Sequence, residues 1–203
     1  MPAKPSARDK ILTAFEALLI DEGERGATMD AVAAQAGVSK GGLLYHFRNK
    51  EAMELALLQK LRTQADADIE AMVADPDGPS MYFVRESVYA GSGFDHTLIA
   101  AMRLAQSSEI DARAELQRIH QQWFELIVGE VGDRSIARAI MLLGDGLYYN
   151  AILAGIWPED AGMGKQESVE GLLEVVQMLK GQATSNAGSG RPGAPGGQPP
   201  ADR

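Results

Sequence analysis

The chain has 203 residues, a formal net charge of −9 and no cysteine, which excludes disulfides, thiolate metal sites and cysteine nucleophiles. Its hydrophobic fraction of 45% suits one or two globular domains with a sizeable core. The greasiest stretch, Ala137 to Trp157, is interrupted by Asp145 and Asn150, so no membrane span is expected. Met1 to Lys10 is polar and unlike a secretory signal, and a cytoplasmic location is the expectation.

The acidity is uneven. Residues 1–62 carry nine Lys/Arg against eight Asp/Glu, whereas the remainder carries ten against twenty. Between Asp30 and Glu51 there is no carboxylate, while Lys40, Arg48 and Lys50 fall in that window. A phosphate backbone would be repelled by most of the chain and attracted by this segment.

Helical periodicity runs throughout, with no convincing alternating strand pattern. A first helix places Ile11, Leu12, Phe15, Leu18 and Leu19 on one face and is expected to stop at Gly23. A short second helix, about 29–36, has Thr28 as its N-cap and Gly37 as its end. Ser39 caps a third, through about Phe47, and Asn49 a long fourth, with Met53, Leu57, Leu61, Ala65, Ile69 and Met72 near the helical repeat. Asp75-Pro76-Asp77-Gly78-Pro79 breaks it. Further helices are predicted from Ser80 to about Gly91, over 94–106, and from a capping box at Ser108-Glu109-Ile110-Asp111. The last two are a nearly all-apolar helix over 134–157 and an amphipathic one over 166–180. Beyond Gly181 the chain is Gly, Pro, Ser and Ala without apolar period, read as disordered.

The second and third helices are joined only by Ala36-Gly37-Val38-Ser39, and Val32, Ala33, Val38, Leu43 and Phe47 can form a small core between them. Lys40, Gly41, Tyr45 and His46 point elsewhere. This is a helix-turn-helix pattern, in which the second helix of the pair enters the major groove.

The segment from Arg8 to Glu51 closely resembles the N-terminal domain of the tetracycline-repressor (TetR) family. The matching residues are Arg8, Ile11-Leu12, Ala14, Leu18, Gly23, Thr28-Met29, Val32-Ala33, Ala36-Gly37-Val38-Ser39, Gly41, Leu43, His46-Phe47 and Lys50-Glu51. The resemblance implies an all-α protein of about nine helices. A three-helix DNA-binding domain (8–68, its helix-turn-helix about 29–47) is joined by the long fourth helix to a ligand-binding and dimerisation domain (69–182), with a disordered tail (183–203). It implies a homodimer that binds a palindromic operator in double-stranded DNA and is released by a small-molecule effector. One departure is Leu44, where many members carry Tyr; here Tyr45 comes one place later.

Thr28, Ser39, Lys40, Gly41, Leu44, Tyr45, His46 and Lys50 are the candidate DNA contacts. Thr28, Tyr45, His46 and Lys50 suit phosphates, Lys50 together with the amides opening the fourth helix. Lys40 suits a base edge such as guanine, Gly41 the groove floor, and Leu44 a core position or a thymine methyl. For the effector, expected to be a small apolar or amphipathic molecule, the candidate wall is Phe83, Met102, Trp123, Phe124, Tyr148 and Asn150, with Asp145 a further polar group. Gly144, Gly146, Ala151, Ala154 and Gly155 are expected to let a partner helix approach, making 134–157 and 166–180 a four-helix dimer interface.

No cofactor, metal site or enzymatic activity is expected. Gly188-Ser189-Gly190-Arg191-Pro192-Gly193 satisfies a dinucleotide-binding spacing but follows no strand and opens no helix. His46, His96 and His120 fall on three different helices without metal-ligand spacing. Besides a repressor, an activator, a corepressor-dependent regulator and a helical interaction protein that does not read DNA are the competing readings.

Overall fold

The computed structural model describes residues 5–106, 111–152 and 166–188. Among these it contains nine helices and no strand: α1 (Ala7–Gly26), α2 (Met29–Ala36), α3 (Lys40–His46), α4 (Lys50–Ala74), α5 (Pro79–Glu86), α6 (Gly93–Leu104), α7 (Ala112–Val131), α8 (Arg134–Ile152) and α9 (Gln166–Gly188). None is long and apolar enough to cross a membrane.

Local chemistry sets most boundaries. Ser6 and Asp9 form a capping box at the start of α1. Thr28 accepts from the Ala31 amide, Ser39 from Gly42 and Asn49 from Ala52, so three successive helices start where their caps predict. Gly37 ends α2 in the left-handed region, φ 67°, and its amide closes back on Ala33 and Ala34. That conformation turns the chain sharply into α3, and glycine adopts it without a Cβ penalty.

Several boundaries differ from expectation. Gly23 takes φ 72° and kinks α1, which resumes for another turn to Gly26. Helix α5 begins at Pro79, where the missing amide costs nothing, and ends at Glu86 rather than near Gly91. Asp111 itself caps α7, accepting from the Ala114 amide, instead of answering a cap at Ser108, which lies outside the described residues. Helix α9 passes Gly181 and continues to Gly188, into the stretch expected to be disordered. The expected end of α8 at Trp157 and most of the tail also lie outside the described residues.

Two hydrophobic clusters form the interior. The first gathers Ile11, Phe15 and Leu19 of α1, Val32 and Leu43 of the helix-turn-helix, and Met53, Leu57 and Leu61 of α4. It continues into Leu98, Ala101 and Leu104 of α6 and Ile119 of α7. The second joins Met72, Val84, Phe124, Ile127, Ile140, Met141 and Val176 from α4, α5, α7, α8 and α9. Trp123 packs against both. Because α6 shares a core with α1 and α4, the helix-turn-helix is not a bead on a tether: α6 packs on α1, which in turn holds α2 and α3.

Candidate DNA interface and effector cavity

The outer face of α3 is exposed in a pattern that its short sequence imposes. Leu43 is fully buried and Phe47 is 2% exposed, fixing the helix against α1 and α2, while Tyr45 is 86% exposed and Leu44 44%. Leu44 is therefore not a core residue of the single chain. A Cβ added at Gly41 would meet no atom within 4 Å, so the α3 surface is open backbone there. Arg8 lies over the Phe47 ring, 5.0 Å from its centroid, tying the first turn of α1 to the end of α3.

The candidate DNA residues fall into three groups. Lys40, Gly41, Leu44 and Tyr45 are solvent-facing on α3, and His46 sits edge-on to Tyr45, ring centroids 5.1 Å apart. Lys40 pairs with Asp30 at 2.8 Å, but both side chains are largely exposed and such a contact is easily exchanged. Thr28 and Ser39 spend their hydroxyls on capping. Lys50 differs from expectation: its ammonium is held by the carboxylate and the backbone carbonyl of Glu24. It closes the end of α1 onto the start of α4 and does not project freely toward solvent.

A cavity of about 950 Å³ opens between α4, α5, α6, α7 and α8. Phe83, Met102, Trp123 and Tyr148 line it, as does Asp145. Two expected members do not. Phe124 is 1% exposed within the second core, beneath the guanidinium groups of Arg134 and Arg138. The Asn150 amide donates to the Gly146 carbonyl one turn back on its own helix, 2.7 Å away. Gly144 also has a different role. A Cβ there would fall 2.4 Å from Phe83 Cε1, so the glycine admits the α5 ring of the same chain and not a partner helix.

Besides the expected Asp145 and Tyr148, the wall contains carboxylates that sequence reasoning missed, Asp68 and Asp95 among them. Asp68 of α4 accepts from the Tyr82 hydroxyl at 3.0 Å and from Trp123 Nε1 at 2.8 Å. Burial raises its carboxyl above the ordinary aspartate value, against the pull of these two bonds. Asp145 faces His120 Nε2 at 3.0 Å. Asp95 of α6 accepts from the amides of Ala90 and Ser92. The Tyr148 hydroxyl is buried without a well-formed hydrogen bond, and burial together with the nearby Asp95 charge pushes its ionisation far up. A signal for Asp68 did exist: it interrupts the apolar stripe Leu61, Ala65, Met72 at helical spacing, where a carboxylate has no reason to be in a plain core.

An exposed α3 on a packed helical base, backed by a helical body with a cavity, is a helix-turn-helix architecture. Residues 11–57 match the family model of bacterial regulatory proteins of the tetR family. The HTH-type transcriptional regulator EthR of Mycobacterium tuberculosis (strain H37Rv) is 27% identical over 128 residues, 60% of this chain and 59% of that protein. The match thus spans under two thirds of this curated relative's length. Among solved structures, the multidrug binding protein EbrR complexed with malachite green superposes with a TM-score of 0.64 at 21% identity, covering 86% of this chain and 98% of that one. A putative TetR-family regulator from Rhodococcus sp. gives 0.59 at 23% identity, covering 84% and 98%. A gamma-butyrolactone receptor (ArpA-like protein) gives 0.55 at 20% identity, covering 87% and 97%. At these identities the structures establish the shared fold. The segment 11–57 is thus similar to the tetR family of bacterial regulatory proteins, and the whole chain shares the fold of these solved structures.

Proposed function

We propose that this chain is a transcriptional repressor that binds a palindromic operator as a homodimer through α3 and is released when a small molecule enters the cavity. The observation that carries this reading is the pairing of an exposed, carboxylate-free α3 face with a cavity whose wall shares helices with the base of that face. Tyr45 and His46 serve phosphates, Lys40 a base edge after leaving Asp30, and Gly41 and Leu44 the groove floor and a thymine methyl. Thr28 and Ser39 act through the caps that aim the helices. Malachite green in the complex of EbrR supports the idea that this fold takes a small molecule. A cytoplasmic location and the absence of enzymatic activity belong to the same reading.

Two connectors couple the sites. Helix α4 begins beside α3 at Lys50 and carries Asp68 in the cavity wall, so the lever acts from Asp68. Helix α6 lends Asp95, Leu98 and Met102 to the cavity. On another side its Thr97 donates to Glu16 of α1 at 2.9 Å, and Lys60 of α4 grips the same carboxylate at 2.8 Å. A ligand that changes the separation of α4 and α6 must disturb this buried junction and re-aim the helix-turn-helix as a rigid body. Mobility-shift titration with the DNA upstream of the chain's own coding sequence tests the reading; no binding at low salt would favour a helical interaction protein instead.

A further inference from the structure

We propose that the cavity is built for an organic cation, a flat aromatic or amphipathic body bearing a permanent positive charge, with Asp68 as its counter-ion. This rests on the effector-cavity reading above and goes further by fixing the ligand's charge and naming the residue that selects it.

The first observation is the charge of the wall. Among the described residues four carboxylates line the cavity, those of Asp68, Glu86, Asp95 and Asp145, against a single permanent cation, Arg113. Among the described residues Glu86 has Arg85 beside it and Asp145 has His120, whereas Asp68 and Asp95 are held by neutral donors alone. Asp95 uses its carboxylate to cap α6, with a structural reason to be there. Asp68 caps nothing. It stands mid-helix, its two oxygens fixed by a phenol and an indole that orient it without neutralising it.

The second observation is the surface around that charge. Tyr82 and Trp123, the two donors to Asp68, present aromatic rings at the cavity, and Phe83 lies against Trp123 with centroids 5.7 Å apart. Rings that meet at an anion offer a cation both a counter-charge and π faces, while their apolar area accepts the rest of its body. Burial already disfavours the ionised form of Asp68, and an entering cation supplies the compensation that the protein withholds. A carboxylate or phosphate ligand would instead meet uncompensated like charge.

The test uses the full chain at pH 8 and low salt with three probes sharing one ring system: N-methylacridinium, a permanent cation; acridine, neutral at that pH; and acridine-9-carboxylate, an anion. Calorimetric titration is expected to rank them cation, neutral, anion, with the cation preferred over acridine by about tenfold or more. Asp68→Asn should bring that preference to within about twofold, while Glu70→Gln, exposed on the same helix outside the cavity, should leave it intact. Equal binding of cation and neutral probe, binding of none, or a preference that survives Asp68→Asn would overturn the proposal. If Asp68→Asn does not fold, as judged by circular dichroism, the ranking of the three probes on the native chain still decides. Operator release is read separately, by comparing native and Asp68→Asn proteins with the same probe so that intercalation into DNA is common to both. Selective cation binding without release would leave the cation site standing and remove the repressor mechanism; release driven equally by acridine would do the reverse.

Discussion

Lys40 and Lys50 look equivalent in sequence, two lysines in a carboxylate-free window, yet the fold gives them different work. In the proposed reading Lys40 leaves its exposed partner Asp30 for DNA at little cost, so Lys40→Ala should relax preference at one operator position, readable in a base-by-base binding profile. Lys50 is locked to Glu24 within the chain. Lys50→Ala should therefore lower the stability of the DNA-binding domain, measured by urea unfolding, and leave the salt slope of operator binding almost unchanged. A slope flattened by about one unit would return Lys50 to the phosphate contacts. Spacing predicted the caps at Thr28, Ser39 and Asn49 because capping is local chemistry. It could not predict Lys50–Glu24, a contact between residues on separate helices.

At the scale of elements, the salt-bridge junctions decide how the helices hold together in acid. Glu115 of α7 is 4% exposed and is gripped by Arg118 and by Arg62 of α4. Desolvation opposes its ionisation, but the two arginine hydrogen bonds outweigh it and the carboxyl lies below its ordinary value of 4.5. A depressed acid contributes stability that is present above 4.5 and is lost as pH falls through the folded-state value. Glu115→Gln should flatten this part of the acid-unfolding curve; an unaltered acid limb would show that the pair adds nothing. Asp68 runs the other way. Its raised carboxyl loses stability as pH climbs from 3.8 through the folded-state value. Thr97→Val removes the bond between α6 and Glu16 while Lys60 keeps its grip, so operator binding by the empty protein should persist and its response to effector should weaken.

At the scale of the whole molecule, the order of helices and the helix-turn-helix were legible because cap, period and turn agree over short distances. The cavity was legible only in part. Phe83, Met102, Trp123 and Tyr148 line it, but Phe124 and Asn150 were picked by residue type, and type does not say which side of a helix faces the void. The dimer surface shows the same limit. Val176 is fully buried in the second core, so a charge there would unsettle the single chain, while Leu142 and Tyr149 on α8 and Met178 on α9 are each more than 60% exposed. If α8 and α9 form the homodimer interface, Leu142→Asp with Met178→Asp should give a folded monomer by sedimentation and bind operator poorly. A native chain that is monomeric at micromolar concentration would remove the homodimer.

The central claim is that the cavity and the reading helix are energetically linked through α4 and α6. It is tested most directly by the operator affinity of the full chain, measured free and saturated with a ligand whose occupancy of the cavity is established by calorimetry. The linkage predicts that saturation weakens operator binding by about fivefold or more, and that operator weakens ligand binding by the same factor. A ligand that fills the cavity and leaves operator affinity unchanged would contradict it.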